Sequence, residues 1–293
     1  YALRLGVEAI SQMCLQLGIS IPVGKDSLSM RTRWSDNNQD FEVKSPLSGV
    51  ITAMAPVEDV SLAVTTELNC SGSKNFYHLS LGEQSRMGGS IFEEVTASYS
   101  NKSPDIDDIT KFKKLFNTIQ ELINRGWIQA LHDVSDGGLF TTLAELAFTN
   151  KVGITILLPD EVDNSQSIFQ NLFSEEAGVV IQLNDDFENQ ALALFSKENI
   201  NARKCAIQTT DAQITVLVND KIKFHESVVS LEKIWSETSY AIKSLRDNPE
   251  SAQEEYDLIE KYDDQGLIAK DSFQYSAALP SFNVNSKPKV AIF

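Results

Sequence analysis

The sequence predicts an α+β protein, because helical and strand patterns alternate along most of its 293 residues. Apolar residues recur at helical spacing in several stretches, most clearly from Ile109 to Ile123. Short apolar runs bounded by polar turns, such as 76–81 and 179–183, separate these stretches and are typical of strands. The alternation from about residue 73 to residue 226 therefore predicts one α+β domain with a mixed sheet and helices.

Composition and charge narrow the possible functions. The net charge is -16 and no basic block is present, so the sequence predicts no nucleic-acid partner. Cys14, Cys70 and Cys205 are odd in number and lack zinc-ligand spacing, which favours reduced thiols and a cytoplasmic location. No apolar run approaches the ~18 residues that a membrane span requires, and no signal peptide opens the chain, so no membrane association is expected.

The first 68 residues are interpreted as the C-terminal part of a separate α+β domain. The predicted elements are an opening helix that ends at Gly18, a hairpin tip at 35–45, and strands at 19–23, 50–56 and 60–64. The polar stretch 69–74 marks the boundary to the next domain. Since the chain starts within a helical pattern, we interpret it as part of a longer protein.

The domain from 73 to 226 has a predicted order of elements. The first part has a strand at 76–81, a loop at 82–90 that leads into a helix, a helix from Ile109 closed by Gly126, and a strand at 127–131. A helix from Leu139, a strand at 154–158, a helix ending near Phe173 and a strand at 179–183 follow. The domain ends with a helix through Phe187 and Phe195 and a hairpin that turns at Asn219-Asp220.

The last segment, 227–287, is expected to be a helix followed by a linker. Apolar residues at helical spacing predict the helix from Val228 to Leu245. From Asn248 to Lys287 the chain is first acidic and then rich in Ser, Asn and Pro, so we expect it to be extended and largely without regular structure. The apolar run 288–293 follows a proline and is interpreted as the first strand of a further domain.

The most informative polar stretch is 130–139, which reads as a strand, a polar turn and a helix. Asp133, Ser135 and Asp136 lie beside Gly137-Gly138 at the helix N-terminus, where unpaired N–H groups can bind phosphate and carboxylates can hold Mg²⁺. An alternative interpretation is that Ser135 or Asp136 only caps the helix and the glycines only form the turn.

Two further glycine-bearing stretches carry polar side chains. Residues 24–30 follow a predicted strand and bring Gly24, Lys25, Asp26 and Ser27 together, yet a solvated turn would have the same composition. Loop 82–90 contains Gly88-Gly89, which suits either a phosphate cradle or an ordinary turn. His78 and His225 are interpreted as structural, while His132 lies nearer the polar cluster.

Several of these segments together resemble one enzyme family. The segments, in order, are 22–30, 87–90, 132–139, 173–178, 236–239 and 246–249. Their order and spacing are similar to those of the large, single-chain phosphoribosylformylglycinamidine synthases, also called formylglycinamide ribonucleotide amidotransferases, over nearly the whole chain. The resemblance implies the aminoimidazole ribonucleotide synthetase-like (PurM-like) fold, and it places the chain in the second half of the synthetase region, with 288–293 entering the glutaminase domain.

The resemblance also implies a reaction. It is the ATP-dependent conversion of formylglycinamide ribonucleotide to its amidine in purine biosynthesis, with glutamine supplying ammonia and with glutamate, ADP and phosphate as further products. The implied cofactors are Mg²⁺ and ATP or ADP, and the implied partners are the first synthetase half and the glutaminase domain of the same polypeptide. In the alternative interpretation, the chain is a non-catalytic half that holds a bound nucleotide.

The resemblance assigns four site residues by position. Asp133 resembles the family's Mg²⁺ ligand and Ser135 an ATP contact. Gly24 and Ser27 resemble the ATP-side and substrate-side contacts of the other domain. The smaller form of the enzyme has other residues where Lys25 and Asp26 stand, so the resemblance assigns no role to these two.

Overall fold

The computed structural model describes residues 1–25, 27, 30–72, 74–82, 84–162, 164–261, 269–270 and 272. Asp26 and the expected domain start at 288–293 lie outside these residues. The helices are α1 (Ala2–Leu17), α2 (Ile91–Thr96), α3 (Ile109–Asn124), α4 (Gly138–Asn150), α5 (Ser165–Phe173), α6 (Glu188–Lys197), α7 (Val228–Arg246) and α8 (Pro249–Asp257). The strands are β1 (Arg31–Asp36), β2 (Gln39–Lys44), β3 (Asn75–Ser80), β4 (Ile128–Val134), β5 (Gly153–Leu157), β6 (Gly178–Leu183), β7 (Ala202–Thr209), β8 (Gln213–Val218) and β9 (Lys221–Ser227).

The main sheet has seven strands in the order β4-β6-β3-β7-β5-β8-β9. Strands β5 and β8 pair in parallel, and the other neighbouring pairs are antiparallel. The predicted α+β domain with a mixed sheet is therefore confirmed. Strand β7, which the sequence analysis did not predict, lies inside this sheet between β3 and β5.

Helices cover both faces of the sheet, and the side chains of β3 alternate between the two cores that result. Phe76 joins a core that includes Leu139 and Leu143 of α4. Its neighbour Tyr77 joins a second core, which includes Leu122 of α3 and Phe195 of α6. This period-two alternation is what a sheet buried on both faces requires. The helix α4 thus lies flat on one face, with its N-terminus at the end of β4.

The N-terminal part matches the prediction only in its helix and its hairpin. Helix α1 ends at Gly18 with φ of 76°, and β1 and β2 form a two-stranded hairpin that turns at Asn37-Asn38. The predicted strands at 19–23, 50–56 and 60–64 are wrong. The first two are irregular, and a 3₁₀ turn at Val60–Leu62 replaces most of the third. None of the described residues before Leu68 is buried, so these apolar runs have no sheet against which to form a strand.

The expected extended linker is also wrong at its start. Helix α7 ends at Arg246 as the apolar spacing predicts, but α8 follows directly from Pro249. The Asn248 side chain accepts a hydrogen bond from the Ser251 N–H, and Pro249 occupies the first turn, where its fixed φ suits a helix. Tyr256 stacks on Tyr240 of α7 with ring centroids 4.5 Å apart. A cap and one aromatic contact therefore stabilise a helix despite the acidic composition.

Within the described residues, the helices lack the length and apolar character that a bilayer crossing demands.

Candidate functional site

The end of β4 and the start of α4 form the predicted strand, turn and helix. Strand β4 continues to Val134, so Asp133 lies on the strand rather than in the turn. Gly137 is the N-cap residue of α4 with φ of 80°, and no side chain caps this helix. Ser135 and Asp136 are exposed. The interpretation that one of them serves as a helix cap is therefore wrong, and both side chains face solvent.

The second glycine of this turn is required for packing. Gly138 has φ of 65°, a backbone conformation that is unfavourable for residues with a Cβ atom. A Cβ atom there would lie 2.7 Å from the carbonyl oxygen of Ser174 and 2.8 Å from the carbonyl carbon of Phe173. The glycine thus lets the N-terminus of α4 contact the end of α5 directly, which brings the loop 174–177 to the site.

Asp133 carries the carboxylate of β4. Its side chain is 73% exposed, and its Oδ1 lies 3.3 Å from the Nδ1 atom of His132. Among the described residues, no group of three or more His, Cys, Asp or Glu side chains could hold a metal ion. One exposed carboxylate still suits Mg²⁺, because this ion commonly binds through one or two carboxylates with phosphate oxygens and water as its other ligands.

His132 connects β4 to two helices. Its Nε2 atom lies 2.9 Å from Oε2 of Glu145 on α4, and the indole N–H of Trp235 on α7 donates to Oε1 of the same carboxylate. The hydrogen bond to Glu145 raises the pKa of His132, and it lowers the pKa of Glu145. The Nδ1 atom lies 2.8 Å from the carbonyl oxygen of Asp133. His132 therefore orients the backbone that carries Asp133.

Loop 174–177 contributes two carboxylates that the sequence analysis did not select as site residues. The Oε1 atom of Glu175 accepts hydrogen bonds from the N–H of Gly137 at 2.9 Å and from the N–H of Ile91 at 3.0 Å. A single carboxylate oxygen thus joins the N-termini of α4 and α2. The only signal in the sequence was the segment 173–178, which the family resemblance included without assigning a role.

The adjacent Glu176 holds loop 82–90. Glu176 is buried and accepts from Nε of Arg86 at 2.7 Å and from the Arg86 backbone N–H at 3.1 Å. The same guanidinium donates to both oxygens of Asp107. These two carboxylates raise the pKa of Arg86 above its ordinary value. Glu175 and Glu176 therefore attach the glycine loop to the turn after β4.

The other predicted stretch is 24–30, which follows α1. Gly24, Lys25 and Ser27 are exposed, and the Lys25 ammonium donates to the Ser27 hydroxyl at 2.8 Å. The hydrogen bonds and ion pairs of the described residues do not join Gly24 or Ser27 to β4 or α4. The assignment of Gly24 and Ser27 to the same functional site therefore stays a prediction.

The two remaining histidines differ in their surroundings. His225 on β9 contacts the hydroxyl of Thr215 through Nδ1 at 2.9 Å. His78 lies on β3 in the middle of the sheet, and its buried Nε2 atom has no hydrogen-bond partner among the described residues. Burial, together with the positive charge of Arg203, lowers the pKa of His78 to about 4. Both locations agree with the structural interpretation.

Two family models match the chain. The model described as "AIR synthase related protein, C-terminal domain" matches residues 77–219, which include most residues of both cores. The model described as "FGAR-AT PurM_N-like domain" matches residues 1–56. The boundary between the two matches contains the polar stretch 69–74, where the sequence analysis placed the domain boundary.

Several solved structures resemble a little over half of this chain. A Thermotoga maritima protein named PurL, complexed with ATP, is 14% identical at a TM-score of 0.45, over 58% of this chain and 27% of that one. Its complex with FGAR is 16% identical at a TM-score of 0.46, over 59% of this chain and 30% of that one. A thiamine-monophosphate kinase from Stenotrophomonas maltophilia is 14% identical at a TM-score of 0.37, over 53% of each chain. The matched region is less than a third of the Thermotoga protein.

Proposed function

We propose that this chain, which belongs to the formylglycinamide ribonucleotide amidotransferase family, supplies part of an ATP-dependent synthetase site. In support, residues 1–56 match the FGAR-AT PurM_N-like domain model, and residues 77–219 match the model of the C-terminal domain of AIR synthase related proteins. The substrate is formylglycinamide ribonucleotide, whose formyl amide becomes an amidine. ATP phosphorylates the amide oxygen, ammonia attacks the carbon, and phosphate leaves with that oxygen. Glutamine hydrolysis in a glutaminase domain of the same polypeptide supplies the ammonia, and the first synthetase half completes the enzyme in the cytoplasm.

The exposed carboxylate of Asp133 is the observation that carries this proposal. It lies at the end of a strand beside the N-terminus of α4, where the helix dipole favours a bound phosphate. Asp133 would hold Mg²⁺, which neutralises phosphate charge when it is bound. The exposed Ser135 hydroxyl would donate to a phosphate oxygen of ATP. Gly24 and Ser27 would contact ATP and the substrate from the other domain.

We expect Asp133→Asn to weaken the affinity for Mg²⁺-ADP by about tenfold or more, because the amide is a poor ligand for a hard cation. The melting temperature should change little, since the carboxylate is mostly exposed and is not a helix cap. Calorimetric titration of ADP with and without Mg²⁺, together with thermal melts, measures both effects in the purified protein.

The matched variant is Asp136→Asn, which removes the same charge from an exposed residue of the adjoining turn. If the site only senses charge, both variants lose affinity equally. Equal affinity of wild type and Asp133→Asn for Mg²⁺-ADP would exclude Asp133 as a metal ligand. Nucleotide that survives extensive dialysis without turnover would instead support the alternative of a non-catalytic half with a bound nucleotide.

A second prediction concerns the ammonia source. We expect the purified 293-residue chain to release no ammonia from glutamine. Burial raises the pKa of Cys205 to about 12, so this thiol stays protonated at neutral pH and is a poor nucleophile. Neither Cys14 nor Cys70 has a Cys-His arrangement in its neighbouring sequence. Ammonia release that a cysteine substitution abolishes would contradict this prediction.

A further inference from the structure

Glu175 accepts a hydrogen bond from a backbone N–H group that was expected to bind phosphate. The N–H of Gly137 was expected to bind a phosphate oxygen at the start of α4. In the structure it donates to Oε1 of Glu175, which also accepts from the N–H of Ile91. Because one carboxylate oxygen takes both donors, a phosphate that needed either of them would have to displace Glu175.

The charges around this turn also oppose the binding of a free phosphate. Asp133 and Asp136 are exposed, and Glu175 is half-buried beside them. Glu176 differs, because Arg86 neutralises it through a bidentate contact. Among the described residues, no lysine or arginine forms an ion pair with Asp133, Asp136 or Glu175. A nucleotide phosphate that approaches the turn therefore meets a negative surface.

We propose that Glu175 is a specificity-determining residue that makes this site select nucleotide complexed with a divalent cation over free nucleotide. The inference rests on the proposed function of the site. Glu175 occupies the N–H groups of Gly137 and Ile91 and adds a negative charge, so free ADP would have to displace a carboxylate to reach either donor. A bound divalent cation offsets that charge and makes phosphate binding favourable.

A purely structural role for Glu175 leads to a different expectation. If its only task were to join α4 to α2, its removal would loosen the turn and weaken nucleotide binding with or without metal. Glu175→Gln separates the two roles, because the amide oxygen can still accept from Gly137 and Ile91 while the charge is lost. Amide hydrogen exchange at Gly137 and Ile91 reports whether these hydrogen bonds persist.

The test compares ADP affinity in Mg²⁺ and in EDTA for wild type, Glu175→Gln and Asp133→Asn. We expect Glu175→Gln to tighten metal-free ADP binding by about tenfold, from the loss of one nearby charge, and to leave Mg²⁺-ADP affinity within about twofold. The matched control is Glu161→Gln, which removes one charge from an exposed residue between β5 and α5 and should change neither affinity.

Unchanged or weaker metal-free binding in Glu175→Gln, with both amides still protected, would overturn the inference. The proposed function fails separately, if Asp133→Asn and wild type bind Mg²⁺-ADP equally. Should wild type bind no ADP at all, the melting temperature in inorganic phosphate decides the inference. Phosphate must then stabilise Glu175→Gln more than wild type, and equal stabilisation overturns it.

Discussion

Gly138→Ala is expected to lower the free energy of unfolding by about 3–5 kcal/mol, through two costs at one position. The backbone has φ of 65°, which strains any residue with a Cβ atom. The added methyl would also lie 2.7 Å from the carbonyl oxygen of Ser174, closer than van der Waals contact allows. Relief requires α4 and the end of α5 to separate, which would expose Leu139 and Leu172 of the first core.

Gly126→Ala is the matched control, because Gly126 has a similar φ of 68° and a Cβ atom there would have no neighbour within 4 Å. We expect this control to cost only about 1 kcal/mol. Urea unfolding of both variants, analysed with a common slope, gives the two losses in the free energy of unfolding. Their difference is the cost of the contact between the added methyl group and the end of α5. Equal losses in the two variants would show that only backbone strain matters at Gly138.

His78 is expected to make the protein lose about 3 kcal/mol of stability as the pH falls from 6.5 to 4. Burial and, to a lesser extent, the charge of Arg203 lower its pKa to about 4. The unfolded chain therefore takes up a proton near pH 6.5 while the folded protein does not. Since the unfolded state binds more protons in this window, the free energy of unfolding decreases as the pH decreases. The decrease ends once the folded histidine is protonated as well.

His78→Gln removes this titration, so the difference in stability between wild type and variant should shift by about 3 kcal/mol between pH 7 and pH 4. Subtraction of the two curves cancels the carboxylates and His132, whose raised pKa acts in the opposite direction. Parallel curves for wild type and His78→Gln would contradict the prediction.

Local patterns predicted the elements that lie inside the sheet domain, with the exception of β7. The apolar spacing from Ile109 and the short run at 179–183 correspond to α3 and β6, and the Asn219-Asp220 turn joins β8 and β9. The predicted strands failed at 19–23, where the apolar residues remain exposed. A strand is stable only when a neighbour pairs with its backbone, and a sequence pattern contains no information about that neighbour.

The prediction of an extended linker failed for the opposite reason. A local helix-start signal was present, but the acidic composition was given more weight. Asn248 followed by Pro249 is a helix start, and it precedes α8. The acidic character of 250–264 favoured an extended chain, but Tyr256 packs on Tyr240 of α7. Tyr256 also donates to the Lys233 carbonyl oxygen, and Ala252 is buried. Tertiary contacts of this kind stabilise a short helix whose own sequence is polar.

By itself, the sequence determined the α+β class of the sheet domain and the strand, turn and helix around Asp133, because apolar periodicity and glycine positions are local properties. Only the tertiary structure decided which groups share that turn. Glu175 lies far along the chain from Gly137, and its carboxylate reaches this N–H because α5 ends against α4 at Gly138. Contacts between distant segments depend on how the helices pack on the sheet, and no local pattern encodes them.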